Sequence, residues 1–317
     1  MFSTIILERI HSSGVSMFKS FSNVKEFYDK PRSEILKVIK NFEVIVIKST
    51  IKIDHEFLNS SEKIKVIARA GTGLDNINQE LLQKKKIELI SVPKENSVAT
   101  AEYILCMILF LSKKISIIQK MINNNDFSRH KIESIQLDNS TIGVIGLGSV
   151  GLEVVKRVNS FNCKLLVFDN KKIGKNIINK FNITICRSLS ELLKKSNFII
   201  LCASLNDGSE NLINVKNYNI IQKGSYLINC ARAELVNQDI LLRGLNEGVF
   251  DAVAIDLISP EPVYTKKKQV LHPLFSHPKV FYSPHVAAMT DTSQRKISTL
   301  LASKVKKFLL DEVDSIL

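Results

Sequence analysis

A glycine-rich turn and three widely spaced ionisable residues are the parts of this 317-residue sequence that could do chemistry. The run Thr141-Ile142-Gly143-Val144-Ile145-Gly146-Leu147-Gly148-Ser149-Val150-Gly151 sets a GxGxxG pattern after an apolar stretch and ahead of a helical one. Gly146 permits a tight turn, Gly148 lets a pyrophosphate approach the backbone, and Gly151 lets the helix pack closely on the strand. A helix that starts there turns free N–H groups and its positive dipole end toward the anion. Asp169 follows Leu165-Leu166-Val167-Phe168, eighteen residues past Gly151. A carboxylate there accepts hydrogen bonds from both ribose hydroxyls and repels a 2′-phosphate, which predicts NAD over NADP. Lys171 and Lys172 soften that preference. Methyltransferases also pair a glycine-rich turn with an acidic strand end, so this region alone leaves that class open.

The three ionisable residues are Arg232 in Cys230-Ala231-Arg232, Glu261 in Asp256-Leu257-Ile258-Ser259-Pro260-Glu261-Pro262, and His285 in Ser283-Pro284-His285. Each lies at or just past a strand-like run, and in a parallel sheet ligands bind beyond the carboxyl ends of the strands. Their types suit a 2-hydroxy or 2-oxo acid. An arginine forks onto the carboxylate and polarises the carbonyl, a histidine exchanges the hydroxyl proton, and a glutamate orients the imidazole and stabilises its charged form. Singly, each has a plainer reading: a surface ion pair for Arg232, a loop residue for Glu261, a structural histidine for His285, with His272 and His277 as competitors.

The elements that must position these residues are short β-rich runs alternating with helical patterns. The runs are Thr4–Leu7, Glu43–Ile47, Ile64–Ala68 and Ile87–Val92, then Thr141–Ile145, Lys164–Phe168, Ile183–Cys186, Phe198–Cys202, Tyr226–Cys230, Ala252–Ile255 and Val280–Tyr282. Several are continuously apolar, as in strands covered on both faces, and helical stretches intervene at Val150–Ser160, Leu189–Lys195 and Gln238–Glu247. The alternation predicts parallel α/β units, two of them at this length. Val98 to about Asn124 reads as one long amphipathic helix connecting the two, its apolar face left for the partner domain. Asp291 to Leu310 reads as a second helix returning to the first domain.

Composition narrows the class. With 45% hydrophobic and 24% charged residues, the chain is neither disordered nor fibrous. The excess of 44 basic over 31 acidic residues gives +13, but the lysines are scattered and outnumber the arginines, which argues against a nucleic-acid surface. The five cysteines form no CxxC pair and read as buried free thiols in a reducing compartment, with no metal site. The apolar run Ile104–Leu111 ends at Lys113-Lys114, too short to span a bilayer, and no targeting segment is evident; a soluble, cytoplasmic protein is expected.

Taken in order, Gly146-x-Gly148-x-x-Gly151, Leu227-Ile228-Asn229-Cys230-Ala231-Arg232, Ala254-Ile255-Asp256 with Glu261-Pro262, and Ser283-Pro284-His285 strongly resemble the D-isomer-specific 2-hydroxyacid dehydrogenase family. The resemblance covers about Glu43 to about Gln294. It implies two Rossmann-like or flavodoxin-like α/β domains, with an NAD-binding domain (98–289) inserted into a substrate-binding domain (1–97 and 290–317). It also implies a homodimer or homotetramer. By the same resemblance Arg232 binds substrate, Glu261 supports the histidine and His285 is the general acid/base. Ser149, Val150, Ala203, Cys230 and Asp256 would join Gly146, Gly148, Gly151 and Asp169 around the NAD, Asp256 near the nicotinamide carboxamide.

Within the family, Arg69-Ala70-Gly71-Thr72-Gly73-Leu74-Asp75-Asn76-Ile77 and Asn96-Ser97-Val98-Ala99-Thr100-Ala101-Glu102 resemble the branch that oxidises D-3-phosphoglycerate, the entry to serine synthesis. Gly71 and Gly73 let backbone N–H groups approach a carboxylate. Arg69, Ala70, Gly71, Thr72 and Gly73 are therefore expected to line the substrate. Lys48-Ser49 falls where that branch commonly has Arg-Ser facing the phosphate; a lysine meets it as a point charge without the fork. Ala233 replaces the usual glycine, Asn237 the usual aspartate, and Cys202-Ala203-Ser204 the usual His-x-Pro. The chain stops just after the returning helix, and no C-terminal regulatory domain is expected. Sister activities (glyoxylate/hydroxypyruvate reductase, D-lactate dehydrogenase) and an NADH-sensing interaction module remain the alternatives.

Overall fold

The computed structural model describes residues 2–206, 208–257 and 272–314, and the fold is taken from these. The chain divides into two compact units. One runs from the N-terminus to Asn96 and resumes at Ala288; the other opens at Ser97 and closes at Ala287.

The first unit alternates β1 (Phe2–Ile6), α1 (Ser12–Lys19), β2 (Ser22–Glu26), α2 (Arg32–Ile39), β3 (Val44–Ile47), α3 (His55–Asn59), β4 (Val66–Arg69), α4 (Gln79–Lys84) and β5 (Glu88–Ser91). All five strands are parallel in the order β2-β1-β3-β4-β5, the flavodoxin-like winding, whose switch point lies between β1 and β3. Every side chain of β3 and β4 is buried, as expected for strands with helices on both faces.

The second unit opens with α5 (Ser97–Ser112) and α6 (Ile115–Asn123) and continues through β6 (Thr141–Ile145), α7 (Ser149–Val158), β7 (Lys164–Phe168), α8 (Lys175–Phe181), β8 (Ile183–Ile185), α9 (Leu189–Lys195), β9 (Phe198–Leu201), β10 (Ser225–Asn229), α10 (Gln238–Asn246), β11 (Phe250–Ile255) and β12 (Val280–Tyr282). Its sheet, β12-β11-β10-β9-β6-β7-β8, is all parallel and reverses direction between β6 and β9. The last helix, α11 (Asp291–Asp314), belongs to the first unit. Ile297, Leu301, Val305 and Leu309 recur every four residues and are all buried, each contributing roughly 1.5–3 kcal/mol by leaving water. Its partner α1 approaches so closely that a Cβ on Gly14 would fall 2.4 Å from that of Ser298.

Three expectations are corrected. The long connector is two helices, broken at Lys113-Lys114, where Lys114 adopts φ +57°. The cause is non-local: the Lys114 ammonium turns to the Asp251 carboxylate and to Tyr226 Oη (3.0 Å), while Tyr226 Oη also donates to Asp251. The apolar face of α5 (Ala101, Ile104, Ile108, Leu111) packs inside the second unit, against Val154, Val155 and Val158 of α7. The cysteines are all free, but only Cys186 is buried and Cys106 is exposed. Among the described residues no helix is long and apolar enough to cross a membrane, and no group of three metal-ligating side chains occurs.

Replacing Lys114 by Met leaves Tyr226 without its cation and Asp251 with only the more distant Lys279 ammonium (3.7 Å) inside a partly covered network. We expect a loss of about 2 kcal/mol, read as a lower urea midpoint at unchanged slope.

Candidate active site

Each loop of interest follows a strand at its carboxyl end. After β6, Gly146 turns with φ +91°, and a Cβ there would meet the Ala203 backbone at 2.8 Å across the switch point. A Cβ on Gly151 would lie 2.1 Å from Gly146 O, so helix and turn touch directly. Gly148 is the opposite case: nothing stands within 4 Å of its Cβ position. It is the N-cap of α7 and supplies no capping side chain, and Leu152 N is the first to find a helical carbonyl (Gly148 O, 3.0 Å). The N–H groups of Ser149 and Val150 therefore have no carbonyl within the helix. Open space above Gly148 and orphan donors beneath it fit a pyrophosphate.

Asp169 stands over the same turn. Its Oδ2 accepts from Leu147 N (2.6 Å) and its Oδ1 from Lys171 N (2.7 Å), which fixes the carboxylate and leaves each oxygen a further lone pair for ribose hydroxyls. Cys202 and Cys230, one residue past the ends of β9 and β10, sit under this edge. Burial pushes the Cys202 thiol up to about 12 and Cys230 well above the usual range, so neither is a nucleophile near neutrality.

Arg232, Asp256 and His285 follow β10, β11 and β12, three neighbouring strands. Asn229 braces the arginine loop: its Nδ2 donates to Arg232 O (2.7 Å) and its Oδ1 accepts from Ala231 N (3.1 Å). Arg232 Nη1 donates to Ala231 O (2.6 Å). Asp256 is fully buried, and its carboxylate accepts from Ser283 Oγ (2.6 Å), Val286 N (2.9 Å) and Ala287 N (2.9 Å). Its carbonyl takes His285 N at 2.7 Å, with His285 at φ +56°, a conformation a non-glycine residue keeps only when its surroundings enforce it. Burial raises the pKa of Tyr103 of α5, and Ser283 beside it opposes the shift. Asp256 is thus engaged by the histidine loop itself, a role its sequence position did not suggest. Glu261 lies outside the described residues.

The first unit carries the other predicted residues on adjacent strand ends. Lys48 follows β3; its N–H donates to Glu8 Oε2 (2.6 Å), and Glu8 also accepts from Thr50 N (3.1 Å) and Thr50 Oγ1 (2.8 Å). Asn76 Nδ2 donates to the carbonyls of Lys48 (3.2 Å) and Ile51 (2.6 Å) from the other side. After β4, the buried Arg69 folds over its own loop, Nη1 donating to Ala70 O (2.8 Å). Gly71 has φ +146°, and a Cβ there would lie 1.9 Å from Arg69 Nη1, so only glycine fits. Thr72 Oγ1 bonds Asn96 Oδ1 (2.8 Å), and Gly73 closes the loop half-buried. Asn76 and Asn229 stand within the motifs quoted from the sequence, but their bracing roles and that of Glu8 were invisible there, because their partners are backbone groups far along the chain or in a loop of unknown shape.

Comparison with known proteins gives the family. Residues 105–287 match the family profile of the D-isomer specific 2-hydroxyacid dehydrogenase, NAD binding domain. The chain belongs to that family, and its second unit is the NAD-binding domain. It is 28% identical over 313 residues to a D-3-phosphoglycerate dehydrogenase of Methanocaldococcus jannaschii, covering 99% of this chain and 58% of the relative. It is 26% identical to a hydroxypyruvate reductase of Thermotoga maritima, covering 88% of each. The D-lactate dehydrogenase of Aquifex aeolicus, solved with NAD and lactic acid, superposes with a TM-score of 0.88 at 26% identity, over 99% of this chain and 97% of that one. The chain spans a little over half the length of the phosphoglycerate dehydrogenases it matches.

The glycines give a paired prediction. Gly148→Ala should melt like the unsubstituted protein yet bind NADH more weakly, because its new methyl group occupies only the space an anion would take. Gly151→Ala should lower the melting temperature by several degrees, because its methyl group collides with Gly146 O. Thermal melts beside NADH fluorescence titrations separate the two.

Proposed function

We propose that this protein is an NAD-dependent dehydrogenase that oxidises D-3-phosphoglycerate to 3-phosphohydroxypyruvate. The observation that carries the reading is a cation after β3, Lys48, beside the Arg69–Gly73 loop after β4, in a chain whose other sheet carries Arg232 and His285 on neighbouring strand ends. Arg232 would hold the C1 carboxylate and polarise the C2 oxygen. His285 would take the C2 hydroxyl proton during oxidation and return it during reduction, with Glu261 supporting the charged imidazole. Asp256 keeps the histidine loop in register while it does so. When bound, NAD supplies the hydride acceptor; the protein contributes orientation, charge and proton transfer. Lys48 would meet the phosphate as a point charge.

A second reading, reduction of an unphosphorylated 2-oxo acid, is favoured by the match over 88% of both chains to a hydroxypyruvate reductase. A homodimer is part of the proposal. Helix α6 has no buried residue and exposes Ile115, Ile117, Ile118 and Ile122, with Phe127 just beyond it, an apolar surface suited to a second copy.

Two measurements test these readings. NADH oxidation should be fastest with 3-phosphohydroxypyruvate among that acid, hydroxypyruvate, glyoxylate and pyruvate, and His285→Ala should cut turnover at least about a hundredfold while NADH still binds. Turnover of the unphosphorylated acids alone would favour the second reading; an NADH-binding protein that turns over none would be a sensor. Ile118→Asp should shift the protein toward monomer by light scattering, and an unaltered mass would remove α6 from the interface.

A further inference from the structure

Lys48 is held at both ends. At its root, Glu8 and Asn76 fix the peptide groups on either side of its Cα. At its tip, Nζ donates to Gln294 Oε1 (3.1 Å) and points to Met289 Sδ (3.8 Å). Gln294 cannot flip its amide, since its Nε2 donates to Ala288 O (3.0 Å), and its own N–H is tied to Thr290 O (2.9 Å) in the first turn of α11. A free lysine side chain samples many rotamers; an acceptor fixed in this way removes most of that freedom before any ligand arrives. Of the three ammonium donors one is spent on the amide and one faces a weak thioether acceptor on the exposed Met289. At least one donor is left for an anion.

The charge at the tip is equally specific. The carboxylate that acts on Lys48 among the described residues is Glu8, whose oxygens are spent on backbone N–H groups and the Thr50 hydroxyl, and Arg69 is a neighbouring cation. Burial and Arg69 together hold the ammonium below the usual lysine range, with Glu8 opposing them. A neutral amide at position 294 fixes this ammonium without cancelling it; a carboxylate in its place would do both. The Arg69–Gly73 loop is one strand away, Ala70 N donating to Ile47 O (2.8 Å). Neighbouring strands lie about 5 Å apart, the order of the distance between the two anionic ends of a three-carbon acid phosphate.

We propose that Gln294 is a specificity-determining positioning residue, which holds Lys48 for the distal anionic group of the substrate and thereby selects a phosphorylated acid over its unphosphorylated analogue. The assignment rests on the substrate reading above. Its test is kcat and KM with NADH for 3-phosphohydroxypyruvate and hydroxypyruvate in the unsubstituted enzyme, Gln294→Leu and Gln294→Glu. In Gln294→Leu the ratio of kcat/KM, phosphorylated over unphosphorylated, should fall about tenfold, through KM of the phosphorylated acid. Gln294→Glu, nearly the same shape, should lower it further, because its carboxylate pairs with the ammonium and repels phosphate. A merely structural Gln294 would tolerate glutamate or would move both substrates together, and either result overturns the proposal. If the unsubstituted enzyme does not discriminate between the acids, the substrate reading fails on its own. Gln294 is then judged by inorganic phosphate, which should inhibit competitively against hydroxypyruvate and lose that inhibition in Gln294→Glu; equal inhibition overturns the assignment. An enzyme that turns over neither acid overturns both.

Discussion

A carboxylate accepting backbone N–H groups is the interaction on which three strand-end loops, in both units, depend. Asp256 takes Val286 N and Ala287 N, Glu8 takes Lys48 N and Thr50 N, and Asp169 takes Leu147 N and Lys171 N. Each acid follows a parallel strand, and each loop would otherwise leave several amide donors unpaired at the end of a sheet. A charged acceptor makes these bonds worth about 1.5–3 kcal/mol, against about 1 for a neutral one, which is enough to hold a loop in a conformation it would not choose alone. His285 at φ +56° is the clearest case. Its own N–H goes to the Asp256 carbonyl and the next two N–H groups go to the Asp256 carboxylate, so the left-handed turn is enforced from one buried residue.

The sheets explain why such acids and the cations beside them gather where they do. In a parallel sheet every strand delivers its following residue to the same edge, and the winding order opens a crevice where the direction of progress reverses. In the first unit that point lies between β1 and β3, which deliver Glu8 and Lys48; β4 alongside delivers the Arg69 loop. In the second it lies between β6 and β9, which deliver the glycine turn and Ala203, while β10, β11 and β12 continue outward with Arg232, Asp256 and His285. Residues as far apart in sequence as Gly146 and Ala203 become neighbours through strand order alone.

That logic also sets what the sequence could reveal. Strands buried on both faces are continuous apolar runs, and β6 and β7 are found at the predicted bounds, as is the half-buried edge strand β12. The edge strand β2, Ser-Asn-Val-Lys-Glu, has one buried residue and carries no such signal. The glycines of the turn were legible because their function forbids a side chain. The break at Lys114 was not: Lys113-Lys114 sits in a helical pattern, and what bends the chain is Asp251, 137 residues away. Asp256 was legible as a strand-end acid but not as the anchor of the histidine loop, and Gln294 looked like one polar residue on an amphipathic helix. In each case the type was visible and the partner was not, because hydrogen-bond partners are set by tertiary approach.

The division of labour between acids and bases has an electrostatic consequence. A carboxylate 4 Å from a cation at a protein surface interacts with it by about 4 kcal/mol, so an acid on the Lys48 ammonium could erase its attraction for an anion. Glu8 instead faces peptide N–H groups, whose partial charges absorb much of its field, and the side chain on the Lys48 ammonium is a neutral amide. Position is fixed by charge on one side of the loop, and positive potential is kept on the other. The overall excess of 44 basic over 31 acidic residues adds a diffuse, salt-screened background. At Lys48 the local cation keeps its charge because its acidic neighbour, Glu8, is turned to backbone N–H groups.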